Sequence, residues 1–276
     1  MSTTNNKNTF KHLTLSYDDK RRTYWCRLHP HPRPCFSSEL LGELSQVSTR
    51  IPKEVTTLQS EPHYFVLCSD IPGVFNLGGD LDLFAQLVRE RNYRGLVEYG
   101  QKCLRMVTAN SSGLQGHATT IALVQGDALG GGFEAALAAH VLIAEEGTKL
   151  GFPEVLFNLF PGMGAYHMLS RRLPVKRAEQ LMLSGELYSA EDLHARGVVD
   201  VLAPRGQGSE AVEEYIRSER AYARGAAAIR RIGGHLDQVP ASSLSDVVTL
   251  WVDSAMRLTE RDLKLMGRIV SRQNHL

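Results

Sequence analysis

The sequence predicts an α/β fold, and three features carry that prediction. Short apolar runs of strand length alternate with stretches of helical spacing, clusters of Gly, Pro, Asp and Asn separate them, and from about Pro204 the composition turns to Ala, Arg and Glu at helical spacing. A chain of 276 residues, 43% hydrophobic and 22% charged, can bury a full core and lies near the upper size of one domain. One α/β domain with an appended helical segment follows.

In chain order, residues 1–12 are polar and read as a disordered tail. Leu13 to Leu28 alternate loosely and carry Tyr, Thr and Trp, which predicts one or two strands before the Pro-rich break HPHPRP that ends at Pro34. Ser37 and Ser38 then precede ELLGELSQVSTRI, whose leucines recur at helical spacing behind a Ser cap. Tyr64 to Cys68 reads as a buried strand. Asp70 to Asp80 reads as a loop into a helix that starts near Leu81, and helical spacing continues with breaks to about Gly113. Ile121 to Val124 is a strand, Gly130 to Gly132 open a helix over Phe133 to His140, and Val141 to Ala144 is a strand again. A turn at Glu146-Gly147 returns the chain through Lys149 to Phe152. Helical spacing resumes over Ala221 to Ile232 and Leu244 to Val270. No internal repeat is visible.

The 31 basic and 30 acidic residues nearly cancel, so no overall field draws the protein to nucleic acid or an anionic membrane. No uncharged apolar run reaches the length of a membrane span, and the amino terminus lacks the apolar stretch of a secretory signal. Cys26, Cys35, Cys68 and Cys103 show no paired spacing and read as free thiols. A cytoplasmic protein is expected. His29 and His31 lack a carboxylate or cysteine at ligand spacing, so a Pro-rich turn is the better reading and no metal or other cofactor is expected. The cluster Arg171, Arg172, Lys176 and Arg177 lies on an expected helix-turn-helix, where it forms either a solvated face or a contact for an acidic partner or a phosphate group.

Three segments carry chemistry. In VQGDALGGGFEAAL, three glycines after a strand leave backbone N–H groups open at a helix start, where a developing oxyanion would be held. The plain alternative is a tight turn, with Glu134 an ordinary first-turn acid. In LGFPEVLFNLFPGMGA, Pro153 fixes the chain so that Glu154 emerges among Phe152, Leu156, Phe157 and Phe160, and a carboxyl there should be costly to ionise. The alternative is a surface Glu opening a helix. In FNLGGDL, Gly78 and Gly79 can expose amides and Asp80 can cap the next helix.

In order and spacing these pieces resemble the crotonase (enoyl-CoA hydratase/isomerase) superfamily. Its pattern is met by Phe75 to Asp80, Gly130 to Glu134, Gly151 to Glu154, Pro161 to Gly164, and GELYSAEDLHARGVVDVLAP from Gly185 to Pro204, with His194 standing where Ala is usual. The resemblance covers roughly residues 60 to 205. It implies a spiral of ββα units over residues 13–204, with a helical region over 205–276 that serves assembly and covers the pocket, and a homo-oligomer, a trimer or dimer of trimers. Carried over by position, it implies Glu134 and Glu154 as the acid/base pair and the N–H groups of Leu77 and Gly131 as the oxyanion hole. Gly78, Gly130, Phe152, Leu156, Phe160, Met163 and Trp251 are the candidate substrate contacts.

Within the superfamily, VFNLGGDL, ALVQGDALGGGFEAAL, PEVLFNLFPGMGAY and LWVDSAM are similar to the diffusible-signal-factor synthases of bacterial quorum sensing. That likeness implies dehydration of a 3-hydroxyacyl chain on acyl carrier protein, then hydrolysis to a cis-2-unsaturated fatty acid. The segment HPHPRPCFSSEL replaces the usual family opening. A CoA-dependent hydratase/isomerase is the alternative, and a binding protein for a sensor-kinase receiver domain is an alternative of another class. Which glutamate is acid and which is base stays open, with the more apolar flanks favouring Glu154 as the acid.

Overall fold

The computed structural model describes residues 10–57, 62–236 and 241–273. Residues 1–9 of the expected tail lie outside the described residues, whereas Lys11 and His12 donate their backbone N–H groups to the Glu43 carboxylate at 2.7 and 2.9 Å. Strands β1 (Leu13–Asp18) and β2 (Thr23–Leu28) then form an antiparallel hairpin, with Leu13 opposite Leu28.

Helix α1 (Ser38–Thr57) starts where the Ser37 hydroxyl accepts the Leu40 N–H, as a capping serine should. It buries Leu40, Leu44, Val47 and Ile51, one stripe at helical spacing, and continues through Pro52, past the expected end. Next come β3 (His63–Ser69), β4 (Val74–Asn76), α2 (Leu81–Arg89) and α3 (Tyr93–Ser111). The short α4 (Gly113–Gly116) is a left-handed kink, with Leu114 and Gln115 at positive φ. Then follow β5 (Ala118–Val124), β6 (Asp127–Leu129), α5 (Gly131–Leu137), β7 (Val141–Glu145), β8 (Lys149–Gly151) and a 3-10 helix over Pro153–Phe157. Helices α6 (Ala165–Ser170) and α7 (Val175–Ser184), β9 (Leu187–Ser189), α8 (Ala190–Ala195) and β10 (Val201–Ala203) complete the α/β part.

The strands divide between two sheets. The larger has the order β1-β2-β3-β5-β7-β10 and the smaller β4-β6-β8-β9. Three successive turns of chain each place a first strand in the large sheet and a second in the small one before a helix: β3-β4-α2, β5-β6-α5, and β7-β8 with its 3-10 helix. This is a spiral of ββα units, built without any sequence repeat. The large sheet is parallel beyond its first hairpin. Its centre is buried on both faces: Ala122 and Val124 of β5 pack toward α1, α3 and α5, while Ile121 and Leu123 pack toward Val212 and Ile216. Each such aliphatic side chain contributes about 1.5–3 kcal/mol by leaving water.

The carboxy-terminal region holds α9 (Gly208–Glu219), α10 (Ala223–Leu236), α11 (Ala241–Ala255) and α12 (Glu260–Gln273). Helix α9 falls within the expected helical region, although no helical spacing was singled out over its own residues. The stretch expected as one helix from Leu244 to Val270 is two, because Thr259 and Asp262 cap α12 reciprocally: the Asp262 carboxylate accepts the Thr259 N–H at 2.8 Å and the Thr259 hydroxyl accepts the Asp262 N–H at 3.3 Å. Helices α11 and α12 pack on α2, α3 and the 3-10 helix, joining Phe84, Val88, Leu96 and Phe157 to Val248, Val252, Leu263 and Met266 in a second apolar cluster. No described helix is long and apolar enough to cross a membrane. All four cysteines are free and buried.

Candidate active site

The two cores meet around a cavity of about 720 Å³, counting the part open to solvent. Its walls come from the loop ending β4, the turn from β6 into α5, the 3-10 helix, the PGMG segment, α3 and α11. Both candidate glutamates line it, brought together from α5 and the 3-10 helix.

Glu134 is 1% exposed. Its Oε1 accepts the backbone N–H of Met163 at 2.8 Å and of Ala165 at 3.0 Å. The PGMG motif therefore has a physical meaning: its turn, with Gly164 at φ 110°, aims two amides at one carboxylate oxygen. Burial pushes the Glu134 pKa up to about 7, against the opposing pull of the Ala165 and Met163 amides.

Glu154 follows Pro153 at the start of the 3-10 helix. Its Oε2 is buried without a hydrogen-bond partner among the described residues. Burial, and then the charge of Glu134, pushes its pKa up to about 8. Its other oxygen lies against the glycine turn, where a Cβ on Gly130 would stand 2.3 Å from Glu154 Oε1 and φ is +53°. Only glycine meets both conditions.

Gly131 follows at the first position of α5, so its N–H has no acceptor within the helix. A Cβ there would stand 2.2 Å from Met163 Cε and 3.5 Å from the Gly79 nitrogen. The loop after β4 thus lies directly against this turn, but its amides differ from expectation. The Leu77 N–H is already spent, donating to the Pro34 carbonyl at 2.8 Å, because the HPHPRP segment pairs with this loop. Leu77 therefore does not supply the oxyanion donor, although its side chain lines the cavity. The Gly78 N–H is spent on Asn76 Oδ1 at 2.8 Å, and the Gly130 N–H on the Gly151 carbonyl at 2.9 Å. Gly79 lines the cavity and its N–H donates to no acceptor among the described residues. It lies within the FNLGGD motif, two places beyond the amide chosen from sequence.

Of the other candidates, Gly78, Gly130, Met163 and Trp251 line the cavity. Trp251 reaches it from α11, its ring 5.2 Å from that of Phe84 and seated where a Cβ on Gly162 would be. Phe152, Leu156 and Phe160 do not line it. Phe152 stacks on Phe133 in the main core with ring centroids 4.9 Å apart, and the 3-10 turn swings Leu156 outward to 54% exposure. Phe84, Tyr99, Phe157 and Leu159 take their place. Nothing in the spacing marked either one: Phe84 lies on the helix that Asp80 caps, just past the FNLGGDL motif, and Tyr99 lies on α3, away from every motif.

The basic cluster is partly consumed. Arg172 bonds the Val198 and Ala139 carbonyls and Asp200, and Lys176 pairs with Glu179. Among the described residues no group of three or more His, Cys, Asp or Glu side chains comes together at a metal-holding distance.

The sequence profile of the enoyl-CoA hydratase/isomerase family matches residues 29–244. The chain belongs to that family. It is similar to a Bacillus subtilis (strain 168) protein named "Probable enoyl-CoA hydratase", at 29% identity over 178 residues, 63% of each chain. It is also similar to the mevalonyl-coenzyme A hydratase SIDH of Beauveria bassiana, at 35% identity over 121 residues, 43% of this chain and 42% of that one. These alignments span less than two thirds of either relative. Among solved structures, human mitochondrial delta3-delta2-enoyl-CoA isomerase superposes with a TM-score of 0.74 over 96% of this chain and 99% of its own, at 17% identity. An enoyl-CoA hydratase from Geobacillus kaustophilus HTA426 superposes with a TM-score of 0.72 over 96% of each, at 19% identity. At such identities these two likenesses speak for the shared fold alone.

Proposed function

We propose that this family member removes water from, or adds it to, carbons 2 and 3 of an acyl thioester, with Glu134 as base and Glu154 as acid. One observation carries the reading: two buried carboxyl groups with raised pKa values border the same apolar cavity beside two unspent amides, Gly79 and Gly131. The amides would hold the thioester oxygen as it gains charge, and one such donor is worth about 3 kcal/mol. Glu134, whose carboxylate form is held by two N–H groups, takes the proton from carbon 2. Glu154, whose Oε2 has no donor to favour its charge, keeps its proton and gives it to the departing hydroxyl on carbon 3. The electron pair of the broken C–H bond becomes the new double bond, and water leaves.

The finer reading is that the substrate is a 3-hydroxyacyl chain on acyl carrier protein and that the cis-2-enoyl thioester is then hydrolysed to free acid. The motifs similar to signal synthases support it, as does the apolar wall formed by Phe84, Leu159 and Trp251, which suits a long acyl chain. In that second step a carboxylate draws a proton from water, the hydroxide adds to the carbonyl, and the thiol leaves with a proton returned to sulfur. Incubation with 3-hydroxydodecanoyl carrier protein, and separately with the CoA ester, followed by mass spectrometry, tests both levels. Free cis-2-enoic acid from the carrier form is the expected product. Reversible hydration confined to the CoA form selects the housekeeping hydratase, and no turnover of either removes the catalytic reading and favours a binding role toward a receiver domain.

The proton arrangement predicts a narrow pH profile. Activity needs Glu134 ionised and Glu154 protonated, and the pair titrates near 7 and 8, so kcat should peak between those values and fall on both sides. A rate that stays flat from pH 5 to 9 would remove the acid/base assignment.

A further inference from the structure

A loop with two successive glycines, Gly78 and Gly79, has little stiffness of its own, yet an oxyanion donor must hold one direction. The direction is set by neighbours. The Gly78 carbonyl accepts the Phe36 N–H at 2.8 Å, and because C=O and N–H point oppositely across a trans peptide, this turns the Gly79 N–H away from Phe36. One side-chain atom bridges the two paired segments. The Tyr99 hydroxyl, carried by α3, donates to the Phe36 carbonyl at 2.7 Å and accepts the Asp80 N–H at 2.8 Å. It therefore ties the two paired segments together one residue past Gly79, and it stands 3.2 Å from where a Gly79 side chain would begin. On the outer side, Arg33 pairs with Asp80 at 2.7 Å and with Asp82 at 2.6 Å.

We infer that Tyr99 is a positioning residue for the Gly79 amide, acting through the Phe36 carbonyl and the Asp80 N–H, with Arg33 completing the clamp from outside. The inference rests on the reading of Gly79 and Gly131 as the oxyanion donors. It also explains why the HPHPRPCF segment sits where it does: Arg33, Pro34 and Phe36 all hold the donor loop. Replacing the hydroxyl alone takes this partner from the Phe36 carbonyl and the Asp80 N–H behind the donor, so that the Gly79 N–H drifts from its target while the apolar pocket stays intact.

The test compares wild type with Tyr99→Phe in two measurements. The first is turnover of the 3-hydroxydodecanoyl thioester, in which kcat should fall by about tenfold to a hundredfold, the usual effect of a small misplacement, with KM changed by less than about twofold. The second is infrared spectroscopy of a bound dodecanoyl-CoA ketone analogue, with CH2 in place of the thioester sulfur and a 13C label at the carbonyl. Hydrogen bonds to the carbonyl move its band to lower wavenumber. Wild type should show the shift, and Tyr99→Phe a clearly smaller one at saturating analogue. A full wild-type shift in Tyr99→Phe overturns the inference and leaves the oxyanion reading standing. No shift in wild type overturns both. If Tyr99→Phe fails to fold, Arg33→Gln takes its place, with a partial loss of kcat and of band shift expected and an unchanged band overturning the inference.

Discussion

Glu154 and Glu219 are both acids with buried carboxyl oxygens, and they behave in opposite ways. Glu219, 2% exposed on α9, is surrounded by donors: Tyr64 at 3.1 Å, Tyr215 at 2.7 Å and the paired guanidinium of Arg230. Burial works against its charge, yet these bonds outweigh it and hold the carboxyl below its ordinary range. Glu154 has a buried oxygen with no donor among the described residues and a second acid nearby, and its pKa rises to about 8. Burial alone therefore does not make a proton-transfer group. The supply of donors decides whether a buried carboxyl is a fixed anion that pins α9 and α10 to the sheet, or a neutral acid available to a substrate.

The contrast can be broken at several points. The largest effect belongs to the cavity: Glu154→Gln and Glu134→Gln should each lower kcat by about a thousandfold while circular dichroism stays unchanged, and near-normal turnover in either would remove that residue from the chemistry. Next comes Glu219→Gln, which leaves Arg230 half-buried without its anion. It should cost about 3 kcal/mol in urea unfolding, with normal specific activity in the folded fraction. A loss of kcat without loss of stability would place Glu219 in the mechanism instead.

The two acids should also oppose each other in pH dependence. The folded pKa of Glu154 is raised, so its contribution is fully present below its ordinary 4.5 and is lost as pH rises toward 8. Between pH 5 and pH 7, Glu154→Gln should therefore gain about 2 kcal/mol on wild type. Glu219, with its lowered pKa, contributes above the unfolded value and loses that contribution as pH falls into the acid range. Parallel pH–stability curves for wild type and Glu154→Gln would contradict the neutral-acid reading. The smallest effect is expected at Leu156, where Leu156→Ser should shift stability by less than about 0.5 kcal/mol and leave kcat alone.

Glu134 and Glu154 were legible as a pair through the order and spacing of five motifs that resemble the family, since each motif alone, a glycine turn or a proline that fixes the entry of a short helix, also fitted an ordinary helix start. The ββα alternation was legible where strands run five residues or more, as in β3 and β7. It was not legible in β4, β6 and β9, since three residues are too few to show a period. The free amide of this loop lies two residues past the expected Leu77, at Gly79, for a physical reason. Which N–H is spent depends on Pro34 and Phe36, some forty residues earlier, and no local pattern reports that pairing. Phe152 and Leu156 were misread because sequence neighbours of Glu154 need not be spatial neighbours. One packs into the sheet side and the other faces water, while Phe84 and Trp251 arrive from helices about 170 residues apart.

Helix α11 gives the cavity one wall late in the chain, through Trp251, and α12 packs on the 3-10 helix that carries Glu154. A ribosome-borne chain that has yet to release residue 241 already possesses both acids and every glycine bend, but not that wall. Water admitted on that side would draw the Glu154 carboxyl back toward ordinary strength, so proton donation near neutrality would wait on the last helices.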